Sequence, residues 1–194
     1  MKNATTGSFA KRVPVPALMA AAIMLAGAMM PAHAARAADS DVARSAIGLN
    51  IAPVTLNLKG LNKDQVGLGS YLVSAIGACN GCHTGPSSPF ATGGDPFDGQ
   101  PLKVVKTAYL AGGVFFGGTL CSANITPDKN GLPDGLTLAN FLSAMHTGHD
   151  FRDKPKVLLQ EMPWPYFRNM TTADLTAIYE YLKAVPSNKE PKCP

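Results

Sequence analysis

Residues 79–83 read Cys-Asn-Gly-Cys-His, and no other stretch constrains the chain as tightly. Two thiols one helical turn apart can add to the two vinyl groups of a haem, and the histidine that follows at once projects its imidazole at the iron. The porphyrin is rigid, so the spacing is strict. Cys79 and Cys82 are therefore expected to form haem thioethers, and His83 to be the proximal iron ligand. A bare Cys-x-x-Cys would equally suit a thioredoxin-like dithiol, but the adjacent histidine and an export-type leader weigh against that reading. A four-ligand zinc site needs further Cys or His at suitable spacing, and the remaining thiols stand alone at Cys121 and Cys193. The motif occurs once and the chain has no internal repeat, so one covalently attached haem c is expected.

The leader occupies residues 1–34. Lys2, Lys11 and Arg12 form a basic start, Ala17 to Met30 is an uncharged apolar run, and Ala32-His33-Ala34 is a cleavage pattern, with Ala35-Arg36-Ala37 a second. The run is 14 residues long, short for a membrane span. It reads as a secretory signal peptide cleaved near Ala34, with an uncleaved anchor as the alternative. Export to the periplasm follows, with no stable membrane span after cleavage. Removing the leader leaves 14 basic against 13 acidic residues. That balance has no basic stripe and argues against nucleic acid as a partner. In an oxidising compartment Cys121 and Cys193 are expected to pair, tying the C-terminal tail to the middle of the domain; two unpaired thiols are the alternative.

Residues 35–61 show no clean helical or alternating period, and Pro53 argues against a central strand. They read as an extended N-terminal arm over the domain, or as a tether. Residues 62–194 form the haem-binding domain. Asn62 caps a helix running from Lys63 toward Cys79, with Leu68, Leu72, Ala75, Ile76 and Cys79 as its buried stripe. Gly69 weakens that helix unless it admits a second helix at close range. From Thr84 to Gly118 the density of Gly and Pro predicts loops, with brief strands at 102–109 and 114–116. Phe90, Phe97, Tyr109, Phe115 and Phe116 are candidates either for a haem wall or for ordinary core. Thr137 caps a helix whose face is Leu138, Phe141, Leu142 and Met145, ending at Gly148. Thr171 or Thr172 caps a final helix carrying Leu175, Ile178, Tyr179 and Leu182 and closed by Pro186, and the Thr and Asp of the 171–174 run resemble a capping box.

The ligand on the iron's far side decides the chemistry. A His/Met site is closed and moves single electrons, the thioether raising the potential; an open site admits gas binding or peroxide chemistry. The candidates are Met145, Met162, Met170, His146 and His149. Met162 lies in Glu161-Met162-Pro163-Trp164-Pro165, where the prolines stiffen the backbone around a weak ligand. Met145 lies on an apolar helical stripe, Met170 beside a helix cap, and the two histidines at a helix end where a cation suits the dipole. The sequence favours Met162 as the distal iron ligand.

A helix ending in Cys-x-x-Cys-His, a Met-Pro loop and a C-terminal amphipathic helix resemble the class I c-type cytochromes. More narrowly, Tyr71-Leu72-Val73, Asn124-Ile125-Thr126-Pro127-Asp128, Met162-Pro163 and the stretch from Asp174-Leu175 to Tyr181-Leu182 are similar to cytochrome domains of bacterial periplasmic dehydrogenase complexes. The resemblance spans roughly residues 64–187. It implies an all-α fold with haem in a crevice between the N- and C-terminal helices, joined by Gly/Pro-rich loops with minor short strands. It also implies Met162 at the iron. The expected function is that of a periplasmic mono-haem electron carrier, not an enzyme by itself. It would pass single electrons between a dehydrogenase or quinol-linked donor and an oxidase or another cytochrome. The alternative is a haem enzyme or gas or redox sensor with a labile Met162, in which His146 or His149 lends acid–base help.

Overall fold

A computed structural model describes residues 32–86, 88–154 and 157–193. The expected leader lies outside them except for residues 32–34, where the first helix begins. The described elements are mainly helical: α1 (Ala32–Ile51), α2 (Lys63–Tyr71), the single turn α3 (Asn80–His83), α4 (Leu138–Thr147), the short α5 (Trp164–Phe167) and α6 (Thr172–Ala184). The two strands, β1 (Phe115–Phe116) and β2 (Leu120–Cys121), pair antiparallel with Phe115 opposite Cys121. No helix among the described residues is long and apolar enough to cross a membrane.

The core is built on α2 against α6. Val66 of α2 and Leu72 and Val73 of the turn that follows it meet Leu175, Ile178, Tyr179, Tyr181 and Leu182 from α6, with Phe141 and Met145 of α4 joining them. The caps are local and follow the side chains. Asn62 accepts from the amides of Asp64 and Gln65, Thr137 from Asn140, and Thr171 from Asp174, whose carboxylate takes the Thr171 hydroxyl in return. Gly69 sits at the α2–α6 crossing: a Cβ there would overlap the Ala177 carbonyl and lie 2.7 Å from Tyr181 Cβ. The close approach that this glycine admits is the reason a poor helix former is tolerated there.

Three expectations are corrected. Residues 32–51 form a helix where an extended arm was expected. α1 is rich in alanine, and its buried face is made of Ser45 and Gly48 against Gly67, with Ser70 Oγ donating to the Gly48 carbonyl at 2.7 Å. A contact built from small residues leaves no hydrophobic period to read. Only residues 52–61 are non-helical; Val54, Leu56, Leu58 and Leu61 pack on the core, and the Asn57 amide donates to Ala184 O. Second, Ala75 and Ile76 are exposed rather than buried, Ile76 by 62%. The helix passes into a π-turn over Leu72–Ile76, and the extra residue per turn rotates the following side chains off the predicted stripe. Third, residues 102–109 hold a 3₁₀ turn at Lys106–Ala108 and a lone bridge at Val104 in place of a strand.

Cys121 and Cys193 are joined by a disulfide. The tail it holds is also fastened by side chains. Asn188 Nδ2 donates to Tyr109 O, its backbone amide to Thr126 Oγ1, and its carbonyl accepts from Asn124 Nδ2, while Ser187 Oγ donates to Pro127 O. Apart from the first five residues of α1, these elements belong to one compact unit, residues 37–194.

Candidate functional site

The chain leaves the π-turn through Gly77 and then Ala78, which lies in left-handed backbone at φ 46°. That turn starts α3, whose backbone bonds run from Cys82 N and His83 N to Cys79 O. One helical turn thereby carries both thiols and the imidazole. Immediately after it, Thr84 is fully buried: its hydroxyl accepts from Leu110 N, while Gly112 N donates to His83 O at 2.7 Å. The attachment turn is thus stitched to the segment around residues 110–112 at its C-terminal edge.

His83 is anchored further along the same segment. Its Nδ1 lies 2.8 Å from the carbonyl oxygen of Ala123, which can only accept, so Nδ1 carries the proton. The tautomer is then set, and Nε2 keeps the free lone pair that a metal ligand requires. Burial pushes the imidazole's pKa down, opposed by the Ala123 bond and by the Asp134 carboxylate. The neutral form is the one that coordinates. Nothing in the sequence marks Ala123, because what it supplies is a backbone carbonyl. Ala123 belongs to the loop that the tail straps down through Asn124 and Thr126, next to the disulfide at Cys121.

Cys79 and Cys82 are free thiols, the first half-buried and the second exposed. Burial pushes the Cys79 thiol up to about 12. A thioredoxin-like dithiol needs a depressed pKa to supply thiolate, so the environment runs against that competitor. Among the described residues no cluster of three His, Cys, Asp or Glu is placed to hold a metal ion. Two unpaired thiols and an imidazole fixed through Nδ1 are a donor set that fits a covalently attached haem.

Met162 is half-buried and packs against the same core as Cys79. It sits between two consecutive three-residue turns. Its amide donates to Gln160 O at 2.6 Å around Glu161, a non-glycine residue at φ 64°, and its carbonyl accepts from Trp164 N at 2.8 Å around Pro163 at φ −77°, ψ 43°. The second is an inverse γ-turn and the first has the rarer, strained sign of φ. Among the other candidates, Met145 is buried in the core and Met170 packs half-buried against it. His146 and His149 each place Nδ1 on a backbone carbonyl, of Arg168 and Val157 respectively. Of the aromatic candidates, Tyr109 is core, its hydroxyl 2.9 Å from that of Tyr181, whereas Phe97 is 90% exposed and leans edge-on to Phe90.

Arg152 forms a further charged group that no motif announces. Its guanidinium donates to Asp150 and Asp134, and Nη1 also reaches the Asp134 carbonyl at 2.7 Å. Burial pushes Asp134's carboxyl up while Arg152 opposes it, and hydrogen bonds from Arg152 hold Asp150 below the usual carboxylate range.

No family model matches the chain, and no solved structure matches it. Curated relatives include the cytochrome c subunits of quinone alcohol dehydrogenases from Gluconacetobacter polyoxogenes and Komagataeibacter europaeus. Each is 32% identical over 113 residues, covering 58% of this chain and 20% of the relative. The chain therefore spans about a fifth of the length of these relatives. The chain is thus similar to cytochrome c subunits of dehydrogenases, and that similarity implies haem c as its cofactor.

Proposed function

We propose that this chain is a class I, mono-haem c-type cytochrome of the periplasm that relays single electrons from a dehydrogenase to a further acceptor such as an oxidase or another cytochrome. The observation that carries the reading is the His83 imidazole, fixed by the Ala123 carbonyl within one turn of two unpaired thiols. A dehydrogenase as donor is supported by the similarity to dehydrogenase cytochrome subunits. When bound, haem supplies a one-electron ferric/ferrous couple. Cys79 and Cys82 hold the group covalently, so it stays in place through repeated turnover. His83 offers Nε2 to the iron, and Ala123 keeps that ring from turning. Met162 would supply the second protein ligand to the iron, and a thioether there would favour the reduced state and raise the potential. Cleavage of residues 1–34 near Ala34 would deliver the domain to the compartment where Cys121 and Cys193 oxidise.

The test is the optical spectrum of haem-loaded protein, oxidised, reduced, and reduced under carbon monoxide. A long-wavelength Met-to-iron band and no response to carbon monoxide are expected. Met162→Ala should abolish the band, open the iron to carbon monoxide and lower the potential. Wild-type protein that lacks the band and binds carbon monoxide readily would refute Met162 ligation and bring forward the haem enzyme or sensor.

A further inference from the structure

The sequence His146-Thr147-Gly148-His149 at the end of α4 offers two imidazoles that the electron-transfer reading does not use. Both are committed to backbone, and to the same stretch of backbone. His146 Nδ1 lies 3.0 Å from Arg168 O, and His149 Nδ1 lies 2.9 Å from Val157 O. A carbonyl oxygen only accepts, so both rings donate. Val157 and Arg168 are the two ends of the segment that has Met162 near its middle.

Gly148, between the histidines, completes the attachment. Its carbonyl accepts from Leu159 N at 2.7 Å. It lies in left-handed backbone at φ 70°, and a Cβ there would fall inside the Trp164 indole, which packs directly on it. The same indole has the Arg168 guanidinium over its ring, 5.9 Å from the centroid. The segment is therefore fastened at 157, 159, 164 and 168, all to the C-terminal end of one helix. Met162 itself is different: its amide and carbonyl bond only two residues away, within the turns at Glu161 and Pro163. Those turns set its local direction, but nothing in them sets where the segment lies on the protein. That position comes from packing of Met162 and Phe167 on the core and from the fastenings to the end of α4.

We infer that His146 and His149 are positioning residues that clamp the two ends of the Met162 segment onto α4, and so hold the methionine thioether at the iron. The inference rests on the proposal that Met162 is the axial ligand. A thioether is a weak ligand, so the ordering of its loop must be met in advance by the protein for the bond to persist. Two fixed carbonyls at the segment's ends do this while leaving the reacting face to the methionine. The histidines would thus act through Met162, without touching the iron.

The experiment compares haem-loaded full-length protein carrying His146→Leu, His149→Leu, His146→Asn or His149→Asn. Asparagine places an amide donor close to the position of Nδ1, so it should rescue; leucine cannot donate. Two readouts are taken: the long-wavelength Met-to-iron band with carbon monoxide binding, and amide exchange across residues 157–168. The Leu variants should weaken the band, admit carbon monoxide and speed exchange about fivefold per lost bond, as a typical net hydrogen bond implies. The Asn variants should stay near wild type. Leu variants that match wild type in both band and exchange overturn the clamp, as do Asn variants that behave like Leu. If wild-type protein shows no band, Met162 ligation fails, and exchange alone decides the clamp: acceleration in Leu but not Asn supports it, and equal rates overturn it. Should a Leu variant not load haem, Gln replaces it, its amide reaching one bond too far for the carbonyl.

Discussion

The disulfide is where the tertiary structure makes its most quantitative claim. Cys121 and Cys193 are separated by 72 residues and have Cα atoms 6.0 Å apart. Closing a loop of that length removes enough freedom from the unfolded chain to stabilise the fold by about 4 kcal/mol. Replacing both by serine leaves the tail's other fastenings intact, namely Asn188 on Tyr109 and Thr126, Ser187 on Pro127, and Pro191 against Gly113. The cost should therefore be that of loop closure rather than of lost contacts. Urea unfolding of haem-loaded Cys121→Ser/Cys193→Ser protein, against wild type without reductant, should show a loss of about 2–5 kcal/mol. The slope with denaturant should rise as well, because an unbridged unfolded chain exposes more surface. Since the same tail straps the loop that supplies Ala123, the spectrum at low urea should nevertheless remain that of the wild type. A loss below about 1 kcal/mol, or wild-type protein whose two thiols alkylate without reduction, would refute the reasoning.

Two further outcomes follow from packing and charge. Gly69→Ala must displace Ala177, whose carbonyl carbon would lie 2.6 Å from the new Cβ, along with Tyr181. Overpacking of about 1–3 kcal/mol or more should outweigh the ~1 kcal/mol gain in helix propensity. Gly81→Ala, with nothing within 4 Å of its Cβ, should be nearly neutral, and equal unfolding midpoints for the two would sink the helix-crossing argument. For pH, Arg152 holds Asp150 below its unfolded value, so this contribution is present above about pH 4 and is lost as pH falls through the folded pKa. Burial raises Asp134 instead, so acidification favours its folded form and opposes the loss. Asp150→Asn should accordingly be less stable than wild type at neutral pH, with the gap closing below about pH 4; a gap that does not change with pH would contradict the ion-pair assignment.

What could be read from the chain was whatever is written within one or two helical turns. Cys79, Cys82 and His83 declare their chemistry by spacing alone, and Asn62, Thr137 and Thr171 declare helix starts because a cap is a bond to an amide two or three residues away. The face of α6 was legible because it is lined by large apolar side chains at helical period. The structure was needed wherever the informative group has no side chain or the contact spans the chain. Ala123 orients His83 through a carbonyl, across 40 residues. Helix α1 packs through Ser45 and Gly48, whose smallness leaves no hydrophobic signal. The π-turn at Leu72–Ile76 turns Ile76 outward, since one inserted residue changes the phase of a stripe without changing its composition. His146 and His149 show the division most clearly. Sequence identifies them as possible ligands or acid–base groups, because an imidazole can be any of these. Only the fold brings the Val157 and Arg168 carbonyls to their Nδ1 atoms and gives both rings backbone to hold.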